Sequence, residues 1–392
     1  MRSEKGFKVQ GSAGATGVSS VTPAPALLTV GDRARKLRQL FNTLGSLAAL
    51  LLIIIGFAVA IQIKGGLDQH RYAVERAQRQ QSLGLPVTPV PSKWELIRDY
   101  ENRFLSVNTF RSTANQMVSV GIAAMGMTLI IISGGIDLSV GSVMALTSVC
   151  VAFCLRAGWS PLPAALAGIL LGGLCSLANA LMITRLKVVP FIATLGMWGI
   201  ARGLAKGLAG EQKIDAPAGW LGTSVLVREP EPAWLLVSPG VWTLIVLALA
   251  VWILLRYTSL GRHIFAIGSN ETASRLSGLS VERIKLLLYT LAGLTTGLAG
   301  VMQFARLTVG DPTTAMGAEL DVIAAVVIGG ASLSGGEGSV FGSLVGALIM
   351  AFLRVGCDHV GVPSWVQEIV IGSVIVLAVA LDYFRRRSAA HG

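Results

Sequence analysis

The sequence predicts an all-α polytopic membrane protein, and three observations support this. Of its 392 residues, 53% are hydrophobic and 14% are charged, whereas soluble domains have roughly 25% charged residues. Several apolar runs approach the ~18 residues that span a bilayer core as a helix. The polar–apolar alternation of a transmembrane β-barrel strand is absent from these runs.

The apolar runs predict about ten membrane spans. They lie at about 44–63, 113–132, 139–155, 162–183, 189–208, 240–257, 284–304, 320–333, 339–353 and 366–384. Residues 1–40 are rich in Gly, Ser, Ala, Thr and Pro, which predicts a disordered tail. The membrane domain would occupy 41–384 and contain a polar insert at 64–111 and a basic segment at 258–283. A short basic tail at 385–392 would follow.

The distribution of positive charge predicts that both termini lie in the cytoplasm. Basic residues cluster at 33–38, before the first run, and at 385–387, after the last. Lys and Arg favour the cytoplasmic flanks of membrane helices, so this pattern also accounts for the net charge of +11 without nucleic-acid binding. The 64–111 insert then lies outside; its own excess of basic residues is compatible, because long loops follow the rule weakly.

Two related motifs follow apolar runs. "GGIDLSVGSV" (134–143) and "GGASLSGGEGSV" (329–340) both carry GG, then LS, then GSV. Paired Gly-interrupted segments in two halves of a membrane protein indicate broken helices near a transport path, whose freed backbone groups must face protein or water. Two tight cytoplasmic turns are the alternative. The candidate residues at these helix breaks are Gly134, Gly135, Asp137, Ser139, Gly329, Gly330 and Ser332.

Asp137 is the one formal charge between Arg111 and Arg156. It could cap a helix that starts near Leu138, because Asp accepts backbone N–H bonds at that position. Alternatively, it could contact a solute directly.

Small residues four apart predict close helix packing. The pairs are Gly168 with Gly172, Gly293 with Gly297, and Gly342 with Gly346. Such pairs let membrane helices approach closely, so they indicate a compact bundle.

Motifs of several enzyme classes are missing. The sequence has no GxxxxGK[ST], HExxH or GxSxG pattern, and these patterns carry phosphate binding, zinc hydrolysis and serine hydrolysis. Its four cysteines form no CxxC, so neither a disulfide framework nor a metal site is predicted. We therefore expect no catalytic residues, no metal and no cofactor bound by this chain, and an energy source elsewhere.

Four segments resemble, in order, the ribose-type permeases of bacterial ABC sugar importers. They are "NQMVSVGIAAMGMTLIIISGGIDLSVGSVMAL" (115–146), "PFIATLG" (190–196), "GRHIFAIGSNETASRLSGLSVERIK" (261–285) and "ELDVIAAVVIGGASLSGGEGSVFGSLVGALIM" (319–350). The resemblance covers most of 105–384, although the insert and the N-terminal tail are longer than in most relatives.

The resemblance implies a type II-like importer permease in the bacterial cytoplasmic membrane, with internally related halves and Gly-interrupted helices. It implies three partners besides membrane lipid: an ABC ATPase subunit that uses ATP-Mg, an extracytoplasmic sugar-binding protein, and a second copy of the chain. The expected cargo is a monosaccharide such as ribose, xylose, galactose or arabinose. A stand-alone carrier or channel for a small polar solute is the alternative.

The resemblance also implies that 258–283 couples the chain to the ATPase. In "SNETASRLSG", Asn270 can cap a short helix, Glu271 suits its first turn, and Gly278 suits its end. A solvated connecting loop is the alternative. The candidate coupling residues are Gly261, Asn270, Glu271, Ala273, Arg275 and Gly278.

Polar side chains in the second and third spans are the candidates for lining a weakly polar sugar path. They are Asn115, Gln116 and Thr128, together with Ser139.

The insert contains a predicted helix in "SKWELIRDYENRF". Ser92 and Glu95 fit a capping box. Trp94, Ile97, Tyr100 and Phe104 recur at helical spacing, which gives one apolar face. That face would lie on the membrane surface, pack on the bundle, or help to dock the binding protein.

Overall fold

A computed structural model describes residues 30–227 and 235–390 and folds them mainly into α-helices. The helices are α1 (Val30–Ser82), α2 (Lys93–Asp99), α3 (Val107–Ile132), α4 (Val140–Arg156), α5 (Pro161–Thr184), α6 (Pro190–Ala209), α7 (Gly219–Ser224), α8 (Pro239–Tyr257), α9 (Ser259–Ser269), α10 (Glu271–Leu276), α11 (Val281–Leu307), α12 (Ala318–Ile328), α13 (Val340–Val360) and α14 (Ser364–Ala390). A 3-10 turn spans Arg103–Leu105. Strands β1 (Ile214–Asp215) and β2 (Val309–Gly310) pair antiparallel.

The predicted terminal tails are partly helical. Residues 1–29 of the predicted 1–40 tail lie outside the described residues, but α1 begins at Val30, where the good helix formers Ala, Arg, Lys, Leu and Gln become frequent. At the other end, α14 continues to Ala390, through most of the predicted 385–392 tail; residues 391–392 lie outside the described part.

Helix α1 is longer than the apolar run that predicts it. Its candidate membrane-spanning stretch is continuous over 39 residues, Leu44–Ser82, a length of about 58 Å. The predicted first span of about 44–63 is therefore only part of this helix, which continues into the predicted insert. Residues 72–81 are mostly good helix formers, so the helix continues beyond the apolar residues that would lie in lipid.

The predicted helix in the insert is confirmed over Lys93–Asp99. The Ser92 side chain accepts a hydrogen bond from the Glu95 backbone N–H, and the Glu95 carboxylate accepts one from the Ser92 N–H, at 3.2 and 3.0 Å. The capping box is thus present. These two hydrogen bonds are the main reason that the pKa of the exposed Glu95 carboxyl is lowered.

Three of the four predicted apolar residues pack on the bundle. A Cβ atom at Gly65 would overlap the Tyr100 ring, and one at Gly66 would overlap Ile97. Phe104 is fully buried. Trp94 is 80% exposed and takes no part in this contact. The helical spacing does not extend to Tyr100 and Phe104, because α2 ends at Asp99 and the chain turns extended at Tyr100.

Six helices are both long enough and apolar enough to cross a membrane, among the residues that the structure describes. They are the Leu44–Ser82 part of α1, α3, α5, α8, α11 and α13. Helix α4 and the apolar part of α14 are shorter, α6 contains Arg202 and Lys206, and α12 has 11 residues. The molecule is thus a multi-pass helical membrane protein, and the count of about ten spans stays a prediction.

Glycine pairs bring the central helices together, as predicted. A Cβ atom at Gly172 of α5 would lie 2.6 Å from both the Gly293 carbonyl oxygen and the Gly297 Cα atom of α11. On α13, Gly342 lies against Gly329, which caps the end of α12. Gly346 lies against Ala325, which is in the last turn of α12. These contacts fix helix positions through backbone atoms.

We predict that the insert is accessible from outside the cell. Tyr72 and Trp94 are 69% and 80% exposed, so Tyr72→Cys and Trp94→Cys should react with an impermeant thiol reagent in intact cells. Leu276, in the 258–283 segment, is 84% exposed; Leu276→Cys should react only after the membrane is opened. The unmodified chain gives the background from its four cysteines. The reverse pattern would invert the predicted topology.

Candidate functional site

The first motif forms the end of α3 and a loop to α4. The N–H of Gly134 donates to the Ile131 carbonyl and that of Gly135 to the Ile130 carbonyl, at 2.9 and 3.0 Å. Gly134 has a φ of +82°. This pattern is a Schellman motif, in which glycine takes the left-handed position just after the helix.

The second motif ends α12 in the same way. Gly330 donates to Val327 and Ala331 to Val326, at 2.9 and 3.1 Å, and Gly330 has a φ of +92°. The residue with the left-handed conformation is therefore the first glycine of the first motif, Gly134, and the second glycine of the second motif, Gly330. Gly135 does not have a positive φ; a Cβ atom there would instead lie 2.6 Å from the Tyr289 hydroxyl oxygen.

Both motifs contain the same small turn at their fourth residue. The Ser139 N–H donates to Asp137 Oδ1 at 2.8 Å, and the Ser334 N–H donates to Ser332 Oγ at 3.1 Å. Asp and Ser side chains commonly form such turns with the backbone two residues on. Helix α4 starts at Val140 rather than near Leu138, so Asp137 organises the loop before the helix instead of capping it.

Asp137 is enclosed by protein, with 1% of its surface exposed. Its Oδ1 also accepts a hydrogen bond from the Ser139 hydroxyl at 2.6 Å, and Asn179 of α5 donates to that hydroxyl at 3.1 Å. These bonds tie the first loop to α5. The structure favours the structural role of Asp137 over direct solute contact.

The two loops meet each other and α9 at four glycines, Gly134, Gly268, Gly335 and Gly336, which we call the glycine junction. Gly336 donates its N–H to the Ile132 carbonyl at 2.8 Å. A Cβ atom at Gly335 would lie 2.7 Å from the Gly268 carbonyl oxygen and 2.9 Å from the Gly134 Cα. The junction thus places the predicted coupling segment directly against both motifs.

The predicted coupling segment folds as α9 and α10. The Thr258 hydroxyl accepts from the Gly261 N–H at 3.2 Å, and a Cβ atom at Gly261 would clash with the Leu254 carbonyl oxygen at 2.6 Å. Asn270 Oδ1 accepts from the Ala273 N–H at 2.9 Å, and Gly278 follows α10 with a φ of +84°. The predicted cap and helix end are confirmed.

A chain of ion pairs joins α10 to its neighbours. Glu271 pairs with Arg275 at 3.2 Å and with Lys285 of α11 at 2.7 Å. Glu282 pairs with Arg275 at 3.4 Å and with Lys187 of the α5–α6 connection at 2.5 Å. Burial raises the pKa of the Glu271 carboxyl, but the hydrogen bonds and charges of Lys285 and Arg275 together outweigh it and lower that pKa.

A cavity of about 340 Å³ lies near the opposite ends of the same helices. It is enclosed by parts of α3, α4, α11, α12 and α13 and by the loop before α12. The polar residues of its lining are Gln116, Ser119, Gln303, Arg306, Thr314, Asp321 and Arg354. From Gln116 to Ile132, α3 runs about 24 Å from this cavity to the glycine junction.

One of the four predicted lining residues faces this cavity. Gln116 contributes to its wall. Asn115 instead donates to the Val227 carbonyl and accepts from the Ser238 hydroxyl, and Thr128 is fully buried and bonded to Ser343. Their polar groups are occupied by protein partners in this conformation, and their role in lining the sugar path stays a prediction.

Sequence reasoning missed the charged residues of the cavity. Arg306 ends α11 and Arg354 lies in the last two turns of α13. Both fall at the predicted external ends of spans, where the positive-inside rule expects few basic residues. That exception is the signal in the sequence that could have identified them.

The loop that closes one side of the cavity is held by buried bonds. The Arg202 guanidinium donates to the Pro312 and Thr314 carbonyls at 2.8 and 2.9 Å. Gln303 donates to the Thr314 hydroxyl at 2.7 Å. The cavity wall is therefore a fixed surface, because its backbone is bonded to α6 and α11.

Comparisons with known proteins agree with the fold. Residues 110–379 match the family described as branched-chain amino acid transport system, permease component. The ribose import permease protein RbsC of Escherichia coli (strain K12) is 40% identical over 286 residues, which cover 71% of this chain and 87% of that protein. RbsC of Bacillus subtilis (strain 168) is 41% identical, with coverages of 73% and 87%. The fructose import permease protein FrcC of Rhizobium meliloti is 36% identical, with coverages of 74% and 81%. No solved structure matches the chain.

We predict that Gly268→Ala destabilises the chain. The added methyl group would overlap the Ile132 carbonyl oxygen, and overpacking typically costs about 1–3 kcal/mol. Gly199→Ala on α6 is the matched control, because nothing lies within 4 Å of its Cβ position and alanine favours the helix. The melting temperature of the purified chain should fall for the first variant and not for the second. Equal melting temperatures would mean that α9 and the end of α3 can move apart at Gly268 without loss of stability.

Proposed function

Because this chain belongs to the family of ABC-importer permease components that includes the ribose-type permeases, we propose that it carries a monosaccharide across the bacterial inner membrane. The observation that carries this proposal is the similarity to permeases named for ribose, fructose and L-arabinose import, which extends over 81% to 87% of those proteins. A separate extracytoplasmic binding protein would deliver the sugar. The chain itself would bind no cofactor.

We place the entrance of the sugar path at the cavity that Gln116 lines. Its size falls within the range of small-molecule sites, roughly 300–1,000 Å³. Residues 121–132 of α3, between the cavity and the glycine junction, are all buried. The conformation described here would thus be open to the outside and closed toward the cytoplasm.

We propose that a separate ATPase subunit, using ATP-Mg, docks on α9 and α10. Coupling two sites requires an element that contacts both and has two arrangements. Leu276, 84% exposed, would lie on the ATPase side, and Gly268 touches both loops. Movement of this segment would then shift the ends of α3 and α12 and open the closed side.

The remaining features of the transporter are proposals as well. We propose a type II-like permease with about ten crossings and related halves, both termini in the cytoplasm, and two copies in each complex. The matching Schellman motifs and turns of the two loops support the relation between halves. Exposed leucines at 162, 166, 170 and 174 along α5 suit a surface that faces lipid.

Uptake by reconstituted complexes tests this function against the stand-alone carrier. Liposomes would contain the chain with its ATPase, and the binding protein would be added outside with labelled ribose, fructose or arabinose. We expect uptake of one sugar that needs ATP and both partners. ATP-independent uptake by this chain alone would favour the carrier.

We predict that Gly278→Val and Glu271→Ala reduce sugar-dependent stimulation of the ATPase. Valine at a φ of +84° is strained by about 1–3 kcal/mol, and Glu271→Ala removes two ion pairs of α10. Gly84→Val is the matched control, because Gly84 also has a positive φ, +67°, and open surroundings but lies in the insert. ATP hydrolysis would be measured with and without sugar-loaded binding protein; undiminished stimulation in both variants would disprove the coupling role.

A further inference from the structure

We propose that the cavity binds the carboxylate of an acidic monosaccharide, such as a uronate, through Arg306 and Arg354. This inference rests on the proposed function and narrows its substrate class. Two observations carry it: the uncompensated charge of the lining and the size of the space.

The cavity lining has more positive than negative charges: two arginines and one aspartate. Nε and Nη2 of Arg354 both donate to Asp321 Oδ2, at 3.1 and 2.5 Å, so this pair is neutral. Arg306 also lines the cavity and has no hydrogen bond or ion pair among the residues that the structure describes. The lining therefore carries one uncompensated positive charge in a partly enclosed space.

Two acceptor atoms on the same lining are also unpaired. Ser119 Oγ and Asp321 Oδ1 are buried and have no hydrogen-bond partner in the described part of the chain. Buried polar atoms are normally bonded, and each exception calls for a cause. Both atoms are closed off from the cavity in this conformation, so a sugar would reach them only after the neighbouring side chains rearranged.

An anionic group accounts for the arginines better than a neutral sugar does. A neutral sugar would displace part of the water around the exposed Arg306 side chain without supplying an opposite charge, which is unfavourable. A carboxylate matches the planar fork of guanidinium and forms charge-assisted, two-point hydrogen bonds with it. The cavity of about 340 Å³ has room for one monosaccharide ring.

D-Glucuronate and D-glucose provide the test, because both are pyranoses that differ in a carboxylate against a hydroxymethyl group at C6. Binding of each to the full chain in lipid nanodiscs would be measured by saturation-transfer NMR titration. We expect glucuronate to bind about tenfold more tightly than glucose, as one charge-assisted contact would give. Acetate is included as a carboxylate without a sugar.

Variants assign that preference to the cavity. Arg306→Gln should bring the two affinities within about threefold, and it leaves no buried partner behind because Arg306 has none. Asp321→Asn removes the negative charge and should increase the preference for glucuronate. Arg156→Gln is the control, because Arg156 is exposed beside Phe153 at the end of α4 and lies outside the cavity lining.

The outcomes separate this inference from the proposed function. Equal binding of glucose and glucuronate, or a preference that survives Arg306→Gln, would overturn the acidic-sugar assignment. Acetate binding as tightly as glucuronate would also overturn it. If Arg306→Gln instead weakened the binding protein's association to the same extent with glucose as with glucuronate, Arg306 would belong to the docking surface for that protein. The ATP-dependent uptake experiment decides the proposed function independently of these results.

Discussion

The fold depends on contacts in which one backbone touches another without a side chain between them. Lipid is as apolar as the helix surfaces, so membrane helices associate through close packing rather than through the hydrophobic effect. Here Gly172 of α5 rests on Gly293 and Gly297 of α11, and Gly268 of α9 rests on the carbonyl of Ile132. The first contact fixes the centre of the bundle and the second fixes its end, so the positions of the cavity and of both loops follow from them.

Local chemistry made much of the fold predictable. The capping box of Ser92, the cap of Asn270 and the helix end at Gly278 each involve residues within a few positions of one another in the sequence. Such local features can be predicted from the sequence alone. The extent of α1 was not predictable in this way. An apolar run shows only which part of a helix lies in lipid. The helix continues through Gly65 and Gly66, which pack against Tyr100 and Ile97, and these contacts join residues more than 30 positions apart.

The candidate site was predictable where a motif repeats and not where the fold assembles it. The two GG motifs were identified from their resemblance, yet the sequence could not show that Gly134 rather than Gly135 adopts the left-handed conformation. Arg306 and Arg354 belong to no motif and lie 48 positions apart, and only the packing of α11 and α13 on one cavity relates them. Asn115 shows the converse, since its partners Val227 and Ser238 lie more than 100 residues away in the sequence.

The α9–α10 segment is attached to the bundle by two kinds of contact that respond differently to the solution. At Gly268 the contact is between neutral backbone atoms and has no charge to screen. The pairs of Glu282 are largely solvent-exposed, with 64% of the Lys187 and 52% of the Arg275 side chains accessible, whereas Lys285, the α11 partner of Glu271, is 17% accessible. Dissolved salt weakens such pairs, because at physiological ionic strength the field of an exposed charge falls off within about 8 Å. A rise in ionic strength therefore weakens the exposed Arg275–Glu282 pair between α10 and α11 more than the partly buried Glu271–Lys285 pair, while α9 keeps its contact with the loops.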